Sequence, residues 1–427
     1  MGRDLPLKIL FIVPYAPNRI RTRPYHFIKT LAAHGHRITL ASLWSSQEEL
    51  ENLNELARDL DCLVAEKMSL AHSLWNCARA IPGGGPLQGS YSWSPRLAWR
   101  IGRIINSAEF DIVHVEHLRG ARYGLHLRES AARRRGRRPA VVWDSVDCIS
   151  ALFRQTARSS AMVRSRIAAK VELARTERYE AWLPGQFDRV LVSSEIDRNE
   201  LLELASNRTG GNGIPRGLPA KRIVVIPNGV DLEYYRPPGE ARAPLTLVFT
   251  GKMSYHANAS AAVDFVKNTM PRIWKTHPQT QLWVVGKDPP AEVRRLEGPR
   301  IRMTGTVPDM RPFLCQATVA VAPIRYGAGI QNKVLEALAC GTPVVATRQA
   351  VSALQVRSGE DLIVAESEEE LANSVSQLLS DANRRTALGC AGRRYVEQNH
   401  DWHAIAQRLT QVYLEANCPE EVPCEKV

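Results

Sequence analysis

Tyr326-Gly-Ala-Gly-Ile-Gln-Asn-Lys-Val-Leu-Glu-Ala-Leu-Ala-Cys-Gly-Thr-Pro-Val-Val-Ala346 says more about the architecture of this protein than any other part of the chain. Its pattern predicts a glycine loop, one helix, a tight turn and a buried strand. Gly327 and Gly329 let the backbone approach a ligand closely, and apolar residues follow at helical spacing over 330–339. A glycine loop that runs into a helix N-terminus directs free backbone N–H groups and the helix dipole at one point. The stretch therefore predicts an anion site.

Two charged residues on the predicted helix narrow the ligand class. Lys333 lies in the first turn and adds a full positive charge beside the glycine loop. Glu336 follows three residues later on the same face, where its carboxylate can accept two hydrogen bonds from adjacent hydroxyl groups. Phosphate donors followed by a carboxylate suit a nucleoside diphosphate and its ribose. We therefore expect a sugar nucleotide as the ligand.

The chain of 427 residues, 44% of them hydrophobic, alternates strand-like and helix-like segments in two series. The first series begins with a strand, a helix and a strand within residues 7–43, a βαβ unit that implies a parallel sheet. We assign residues 1–232 to this domain. Its further predicted elements are strands at 112–115, 140–143, 189–193 and 223–226 and a helical stretch at 150–183.

A change of composition separates the two series. Residues 233–244 are rich in proline and are predicted to form a linker. A second α/β series over 245–400 is predicted to form a doubly wound sheet, whose ligands bind at the carboxyl ends of its strands. A last helix is predicted at 401–416, and 417–427 are expected to be a tail. The strand ends that suggest ligand contact in this domain are Thr250-Gly251, Val285-Gly286 and Thr304-Gly305.

Four motifs together resemble the GT-B glycosyltransferases of the large retaining family 4. They stand in the family's order and at its spacing over most of the chain. The resemblance implies an α/β chain with the GT-B fold, in which two Rossmann-like doubly wound parallel-sheet domains face each other across a cleft, and a last helix that crosses back to the first domain. The motifs are the quoted stretch, Ile226-Pro-Asn-Gly-Val-Asp231, Gly305-Thr-Val-Pro-Asp309 and Asp401-Trp402.

The resemblance assigns nucleotide-binding roles in the second domain. Glu336 matches the glutamate that holds the ribose hydroxyls, and the backbone at Val307 matches the loop that reads the base. Lys252, which follows Gly251, matches a basic residue that meets the donor diphosphate. The other expected donor-site residues are Gly327, Gly329 and Lys333.

Three features depart from the family pattern. The first glutamate of its Glu-x7-Glu motif, which meets the donor sugar, would fall at Ala328, and the second loop glycine is Gln331. A second lysine that the family carries near the diphosphate is missing, and His256 and Asn258 occupy that region. We expect Lys333 to supply the missing positive charge, and sugar recognition to differ from the family's.

The loop after the first strand is basic where the family usually has glycines. Arg19, Arg21 and Arg23 come before or at the start of a predicted helix. We expect one of them, Arg21, to contact phosphate. That phosphate belongs either to the donor or to a phosphorylated acceptor.

Candidate catalytic residues follow two strands of the first domain. His117 and Glu116 lie beyond the apolar run that ends at Val115, where similar enzymes have a histidine in contact with the donor sugar. His114 alternates inward and is expected to be a core histidine. Asp147 and its neighbour Asp144 follow the strand at 141–143. Either aspartate could bind acceptor hydroxyls or act as a base, or cap the following helix.

Charge and composition restrict the class of partner and the cell compartment that we expect for this protein. The net charge of +12 calls for a negative partner, but the cluster at 133–138 has no interleaved aromatic residues, which argues against nucleic acid. A solvated loop is favoured there over contact with an anionic membrane. The eight scattered cysteines and the lack of a spanning apolar run favour a cytoplasmic protein, with a peripheral place at the inner face of the plasma membrane as the alternative. No metal and no separate cofactor are expected.

The sequence thus predicts an enzyme that transfers a hexosyl group from a UDP- or GDP-linked sugar to a saccharide or lipid-linked acceptor. The resemblance implies that the transfer retains the anomeric configuration. Two alternatives stay open. One is a sugar-nucleotide 2-epimerase, although such enzymes use more carboxylates and histidines than are found here. The other is a non-catalytic partner that keeps the fold, for which Ala328 is the argument.

Overall fold

The computed structural model describes residues 6–131, 138–159, 163–207, 220–237, 239, 242–327 and 329–417. These residues divide into two compact units. The first unit comprises the chain up to Phe153, Lys170–Ile226 and the residues from His403 onward, and the second comprises Arg154–Ala169 and Pro227–Trp402. The domain and linker limits given above remain predictions.

The first unit is built on a seven-stranded parallel sheet. Its strands are β1 (Lys8–Val13), β2 (Arg37–Trp44), β3 (Cys62–Lys67), β4 (Ile112–Glu116), β5 (Ala140–Val146), β6 (Arg189–Val192) and β7 (Ile223–Val225). They lie in the order β3-β2-β1-β4-β5-β6-β7. The last five residues of β1 and all of β4 are buried, as expected for a sheet covered by helices on both faces.

The helices of this unit fall between the strands, apart from the last one. They are α1 (Thr22–Ala33), α2 (Gln47–Leu56), α3 (Leu70–Ala80), α4 (Leu87–Tyr91), α5 (Pro95–Ser107), α6 (His117–Ala131), α9 (Glu195–Ser206) and, as numbered in chain order, α17 (Trp402–Asn417). Two more helices are shared with the second unit: α7 (Ile149–Ser159) belongs to the first unit up to Phe153, and α8 (Val163–Trp182) from Lys170. Serine side chains cap several of them: Ser94 Oγ, for example, accepts a hydrogen bond from the Leu97 N–H at the start of α5.

The second unit is built on a six-stranded parallel sheet with the order β10-β9-β8-β11-β12-β13. The strands are β8 (Thr246–Thr250), β9 (Gln281–Val285), β10 (Ile301–Gly305), β11 (Val319–Ala322), β12 (Val344–Thr347) and β13 (Ile363–Ala365). The helices are α10 (His256–Asp264), α11 (Met270–Thr276), α12 (Ala291–Arg294), α13 (Arg311–Gln316), α14 (Asn332–Ala339), α15 (Glu368–Ser380) and α16 (Ala382–Asn399). Both sheets are doubly wound and all parallel, which confirms the predicted fold class.

Sequence patterns missed two edge strands and merged two helices. β3 and β13 lie at the ends of their sheets, and β3 is only partly buried, so neither shows a long apolar run. The predicted helical stretch at 150–183 is two helices, α7 and α8. Glu116, expected beyond the strand, is the last residue of β4 and is 1% exposed. None of the described helices is long and apolar enough to span a membrane.

One glycine in the second unit is required by packing. A Cβ atom on Gly229 would lie 2.6 Å from the Trp402 ring and 2.9 Å from the His400 carbonyl oxygen. His400 also hydrogen-bonds through Nδ1 to the Asn228 carbonyl at 2.7 Å. The turn at 227–231 is therefore held against the segment that leads into α17.

Candidate functional site

Both sheets reverse their strand order at an inner position. The reversal falls between β1 and β4 in the first sheet and between β8 and β11 in the second. Loops on either side of such a reversal diverge and leave a crevice at the carboxyl ends of the strands, where doubly wound folds bind ligands. The residues that follow these four strands are therefore the first candidates in each unit.

Glycines end three neighbouring strands of the second unit. Gly251, Gly286 and Gly305 follow or end β8, β9 and β10 and have φ values of 148°, 157° and 65°. A Cβ on Gly286 would lie 1.7 Å from the Gly251 carbonyl oxygen, so no other residue fits there without a backbone shift. The glycines carry no side chain of their own at this edge, so a ligand can approach the backbone there.

The Lys333 side chain lies along this glycine edge. Its Cε would be 3.2 Å from a Cβ on Gly251, and its ammonium group donates to Gln331 Oε1 at 2.9 Å. Burial lowers the pKa of Lys333 to about 8, and the negative charge of Glu336 partly opposes that shift. Lys333 is therefore a partly buried cation at the N-terminal turn of α14, which is the place that the sequence predicts for a phosphate ligand.

Glu336 occupies the next turn of α14 and is partly buried. Burial raises the pKa of Glu336 to about 7, while Lys333 and a hydrogen bond from the Tyr235 side chain lower it. The carboxyl group thus has one protein donor and capacity to accept more hydrogen bonds. Tyr235 stands just after the 227–231 turn, and no motif in the sequence pointed to it.

The glycine loop is held by two glutamine side chains. The Gly327 N–H donates to Gln155 Oε1 at 3.1 Å, and the Gly327 carbonyl accepts from Gln349 Nε2 at 2.9 Å. The N–H that was expected to face phosphate therefore has a protein partner in this structure. Gly329 has a φ of 66°, which glycine adopts without strain. Ala328 lies outside the described residues.

Polar groups after β8 complete this edge. Lys252 is exposed, and its carbonyl accepts from Asn258 Nδ2 at 2.9 Å. Asn258 is 5% exposed, and its Oδ1 finds no hydrogen-bond partner among the described residues. His256 Nδ1 lies 3.0 Å from the Tyr326 hydroxyl, with the two rings stacked. A buried acceptor without a partner is costly, so Asn258 is suited to accept a ligand hydroxyl.

The predicted base loop borders a cavity of about 480 Å³. Val307 follows β10 and is partly buried against the core of the unit. Nearby, Arg311 pairs with Asp309 at 2.7 Å and lies over the Tyr234 ring at 3.8 Å. The cavity is lined by Glu233, Tyr234, Arg236, Asp309, Arg311, Pro312 and Cys315.

In the first unit, His117 begins α6 directly after β4. It has a φ of 62°, a left-handed conformation that is uncommon outside glycine. The Arg119 N–H lies 3.4 Å from His117 Nδ1, which assigns the ring proton of a neutral imidazole to Nε2. Burial, and next the Arg119 charge, lower the pKa of His117 to about 3, against the opposing charge of Asp144. His117 is thus a neutral hydrogen-bond donor held in a strained backbone, a type of strain that clusters at functional sites.

A buried polar network lies beside His117. Arg23 makes two hydrogen bonds to Asp144, at 2.7 and 3.0 Å, and a third to the Ile226 carbonyl at 2.7 Å. His114 accepts or donates at Nδ1 with the Tyr413 hydroxyl, 2.8 Å away. Arg23 is therefore a structural residue in this state, and its charge is already balanced by Asp144.

Glu116 shares this network with His114 and Asp144. Its Oε1 accepts from the Tyr15 hydroxyl at 3.2 Å. Burial and the Asp144 charge raise the pKa of Glu116. The ligand atoms of the three residues lie within 4.8 Å of one another, a spacing that could hold a metal ion, but the Arg23 guanidinium supplies positive charge there. The expectation of a metal-free protein remains a prediction.

Asp147 and Arg21 occupy two further positions at this edge. Asp147 Oδ1 accepts from Ser193 Oγ at 3.0 Å, and burial, followed by the Asp197 charge, raises its pKa to about 7. Arg21 pairs with Glu49 at 3.0 Å and lies over the Tyr15 ring at 4.9 Å. Asp147 can exchange a proton near neutral pH, whereas Arg21 would have to leave Glu49 to bind phosphate fully.

Each unit therefore gathers its predicted residues at the carboxyl edge of its own sheet. In the second unit Gly251, Lys252, Gly327, Gly329, Lys333 and Glu336 follow β8 and β11, and Val307 follows β10. In the first, Arg21, Glu116, His117 and Asp147 follow β1, β4 and β5. The arrangement of the second unit suits an anion and adjacent hydroxyl groups. That of the first supplies a neutral donor and a carboxyl group with a near-neutral pKa.

Comparison with known proteins agrees with the fold. The family model described as Glycosyltransferase Family 4 matches residues 21–234, and the model described as Glycosyl transferases group 1 matches residues 244–381. A solved structure of HepE from Anabaena, in complex with UDP and glucose, has a TM-score of 0.65 at 14% identity, covering 96% of this chain and 100% of that one. Such a likeness shows the GT-B fold.

Two curated relatives have similar sequences over part of their length. A glycogen synthase of Mycobacterium tuberculosis is 27% identical over 258 residues, which are 57% of this chain and 58% of the relative. A GDP-mannose-dependent monoacylated alpha-(1-6)-phosphatidylinositol monomannoside mannosyltransferase of Corynebacterium glutamicum is 30% identical over 208 residues, 44% of this chain and 55% of the relative. The chain thus matches somewhat over half the length of these curated relatives.

Proposed function

Because the chain belongs to the group 1 glycosyltransferases of family 4, we propose that it transfers a hexosyl group from a nucleoside-diphosphate sugar to a saccharide or lipid-linked acceptor. The second unit binds the donor, and the first supplies the acceptor surface and the catalytic residues His117 and Asp147. Glu116 is 1% exposed and accepts from Tyr15, so we assign it a positioning role behind that surface rather than contact with the substrate. The transfer retains the anomeric configuration. No cofactor besides the donor substrate is involved, and a cytoplasmic location stays a prediction.

One observation carries the proposal: Lys333 and Glu336 stand on successive turns of α14, at a glycine-lined strand edge. Lys333 and the N-terminal end of the helix can neutralise the charge that develops on the departing diphosphate, and exposed Lys252 can reach the same ligand. Because these groups are fixed before the reaction, little reorganisation is needed. Glu336 then accepts from the ribose hydroxyls, one turn further along.

The donor is UDP- or GDP-linked in this proposal. The HepE structure contains UDP and glucose, and the mannosyltransferase relative is named for GDP-mannose. The Val307 backbone beside the 480 Å³ cavity is the proposed base contact. Asn258 Oδ1, which has no partner among the described residues, joins the proposed donor ligands by accepting a hydroxyl.

Calorimetric titration with UDP, GDP and ADP, without added metal, tests the donor site. Micromolar binding of UDP or GDP is expected, and Glu336→Gln should weaken it by about 1–3 kcal/mol because one set of ribose hydrogen bonds is lost. Glu369→Gln, at an exposed position in the same unit, is the matched control and should bind normally. Absence of binding by all three nucleotides would overturn the proposal.

Product analysis then decides between transfer and the alternatives. Incubation with UDP-glucose or GDP-mannose and a mixed saccharide acceptor should release the nucleoside diphosphate, and NMR of the product should show the donor's anomeric configuration. An altered sugar still attached to its nucleotide would indicate a 2-epimerase. Nucleotide binding with no turnover of any donor would indicate a non-catalytic partner.

A further inference from the structure

Helix α3 directs its large apolar side chains to solvent. Leu70, Leu74 and Trp75 are 65, 59 and 62% exposed, and Ile81, which caps the helix, is 54% exposed. The protein-facing side instead carries small or polar residues, namely Ser73, Asn76, Cys77 and Ala80. Asn76 fixes this orientation, because its Nδ2 donates to the Trp93 carbonyl at 2.8 Å.

The exposed apolar residues form one continuous sector. With about 100° between successive residues of a helix, Leu70, Leu74 and Trp75 fall within a sector of about 140°. Ile81 falls inside the same sector and Arg79 lies at its border. We name Leu70, Leu74, Trp75, Arg79 and Ile81 the α3 face. A contiguous apolar face of this kind on a water-soluble surface marks an interaction site.

The sequence that carries the α3 face is free of acidic residues, although Glu172 lies near Cys77 on the protein-facing side of α3. No aspartate or glutamate occurs from Lys67 to Ala108, a run of 42 residues that carries five lysines and arginines. Arg79 and Arg103 are exposed or partly exposed on α3 and α5, and Arg103 lies 5.1 Å from the Trp99 ring centre. Trp99 is itself 62% exposed. An apolar face with tryptophan and exposed arginines beside it complements an anionic lipid surface.

The α3 face is on the functional side of its unit. Helix α3 follows the carboxyl end of β3, the same sheet edge at which His117 follows β4. β3 and β4 are three strand positions apart, about 14 Å across the sheet. Helix α3 also packs on α4, and α4 packs on α6, which begins with His117. A surface bound to α3 would therefore lie near the proposed catalytic residues.

We propose that the α3 face docks this chain on an anionic lipid bilayer. Leucine and isoleucine side chains enter the boundary between headgroups and acyl chains, Trp75 lies at the headgroup level, and Arg79 contacts lipid phosphate. The inference rests on the proposed function, in which it selects a lipid-linked acceptor. Such an acceptor presents its sugar at the membrane surface, within reach of the edge that carries His117.

The α3 face fits this role better than the arginine cluster at 133–138. Arg138 precedes β5, at the opposite edge of the sheet, and pairs with Asp188 at 2.9 Å. After the cluster Pro139 is half-buried and Ala140 is buried, and residues 132–137 lie outside the described residues. Electrostatic attraction alone would bind weakly and be screened by salt, whereas an apolar face adds a component that salt does not screen.

Co-sedimentation with vesicles tests the proposal on the full chain. Vesicles of equal parts phosphatidylcholine and phosphatidylglycerol should bind the protein, and vesicles of phosphatidylcholine alone should bind it at least about fivefold more weakly. The double variant Leu74→Ser/Trp75→Ser should lose at least about tenfold in affinity for the anionic vesicles. Arg79→Gln should lose about fivefold at low salt and less in about 0.5 M salt.

Ile196→Ser is the matched control. Ile196 is 47% exposed on α9, between the acidic residues Glu195 and Asp197, so its loss should leave vesicle binding unchanged. All substituted residues are exposed, and circular dichroism should show unchanged folding. Equal binding by the parent and the double variant, or no binding to anionic vesicles, would overturn the proposal. A parent that self-associates and a double variant that is monomeric in sedimentation velocity, with no vesicle binding, would assign the face to a second copy instead.

UDP and GDP titrations of the same variants separate this proposal from the proposed function. Nucleotide binding should be the same in the parent and in the double variant, because α3 belongs to the first unit and the donor residues to the second. Nucleotide binding without vesicle binding would overturn membrane docking alone. Vesicle binding without nucleotide binding would support the docking proposal and overturn the proposed donor site.

Discussion

Arg23 and Asp144 form a two-pronged ion pair inside the first unit, with Nε–Oδ2 and Nη2–Oδ1 distances of 2.7 and 3.0 Å. Their side chains are 3 and 0% exposed. A pair so deeply buried stabilises the fold little more than two apolar side chains would. If either partner is removed, however, the other is left as a buried charge with neither solvent nor counter-ion, which is strongly destabilising. The pair is therefore a sensitive point for the stability of the unit.

Arg23→Met should destabilise the first unit by about 3–5 kcal/mol, because Asp144 would remain buried without its cation. The measurement is urea unfolding followed by circular dichroism. Arg37→Met is the control, since Arg37 pairs with Asp61 at 2.6 Å on the surface and its loss should cost less than about 1 kcal/mol. Equal losses of unfolding free energy in both variants would contradict the prediction that the buried pair matters more to stability than the surface pair.

Glu336 should make nucleotide affinity depend on pH. Its pKa of about 7 is raised by burial, so the carboxyl group is largely protonated below that pH and accepts fewer hydrogen bonds from ribose. Binding favours the ionised form, and affinity should therefore rise from pH 6 to pH 8. The quantity to measure is the ratio of parent to Glu336→Gln affinity for UDP or GDP, which cancels titration of the ligand's own phosphate. A ratio that is flat over this range would contradict the assignment.

Lys333 should produce the opposite trend at higher pH. Its pKa of about 8 is lowered by burial, so the ammonium group loses its charge as the pH rises through 8. The ratio of parent to Lys333→Met affinity for the diphosphate should therefore fall between pH 7.5 and about 9. Bound phosphate favours the charged form and should shift the midpoint of this fall above that of the free protein. An unchanged ratio would show that Lys333 does not meet the ligand.

The left-handed backbone at His117 predicts that glycine is more stable than alanine at this position, the reverse of their order at an ordinary helical position. With φ at 62°, His117→Gly should be more stable than His117→Ala by about 1 kcal/mol, because only glycine adopts this conformation freely. Both variants should lose transfer activity. At the exposed helical position Ala78, substitution by glycine should instead cost about 1 kcal/mol. Thermal unfolding of the three variants checks the prediction, and a more stable His117→Ala would contradict it.

Cys315 should react with alkylating agents at unusually low pH. A hydrogen bond from the Cys340 thiol, assisted by the charges of Arg242 and Arg311, lowers the pKa of Cys315 to about 7. Mass spectrometry after iodoacetamide treatment should show half-maximal labelling of Cys315 near that pH, with exposed Cys62 and Cys390 as the comparison thiols. Bound UDP or GDP should protect Cys315, since it lines the cavity beside the base loop. Equal reactivity of the three thiols would contradict the prediction.

The fold could be predicted from the sequence where patterns are local. The prediction for strand β1 has the observed limits, and that for α14 starts within two residues of the observed start. Both depend on apolar runs or helical spacing, which are patterns of residues close together in the sequence. The glycines at the ends of β8, β9 and β10 were visible for the same reason, and their positive φ values are found in the structure. The ligand edge predicted from them stays a prediction. Edge strands β3 and β13 lacked that local signal.

The candidate site could be predicted only in part. Lys333 and Glu336 are neighbours on one helix, so their spacing alone placed them together. Other contacts to the candidate site come from distant parts of the chain, namely from Tyr235, Gln155 and Gln349. Local sequence patterns do not predict contacts of this kind. The sequence around the arginines of the first loop did not distinguish their roles. In the structure Arg23 is buried and Arg21 pairs with Glu49.

Periodicity and strand-end residues are properties of consecutive positions, so the sequence was enough to predict two parallel sheets and the edge of each sheet at which a ligand is expected. Only the tertiary structure decided which charged groups are buried together and how their pKa values shift. His114 and Tyr413, for instance, are 299 residues apart and meet at 2.8 Å. Desolvation depends on every atom that surrounds a group, and that surrounding exists only once the chain has folded.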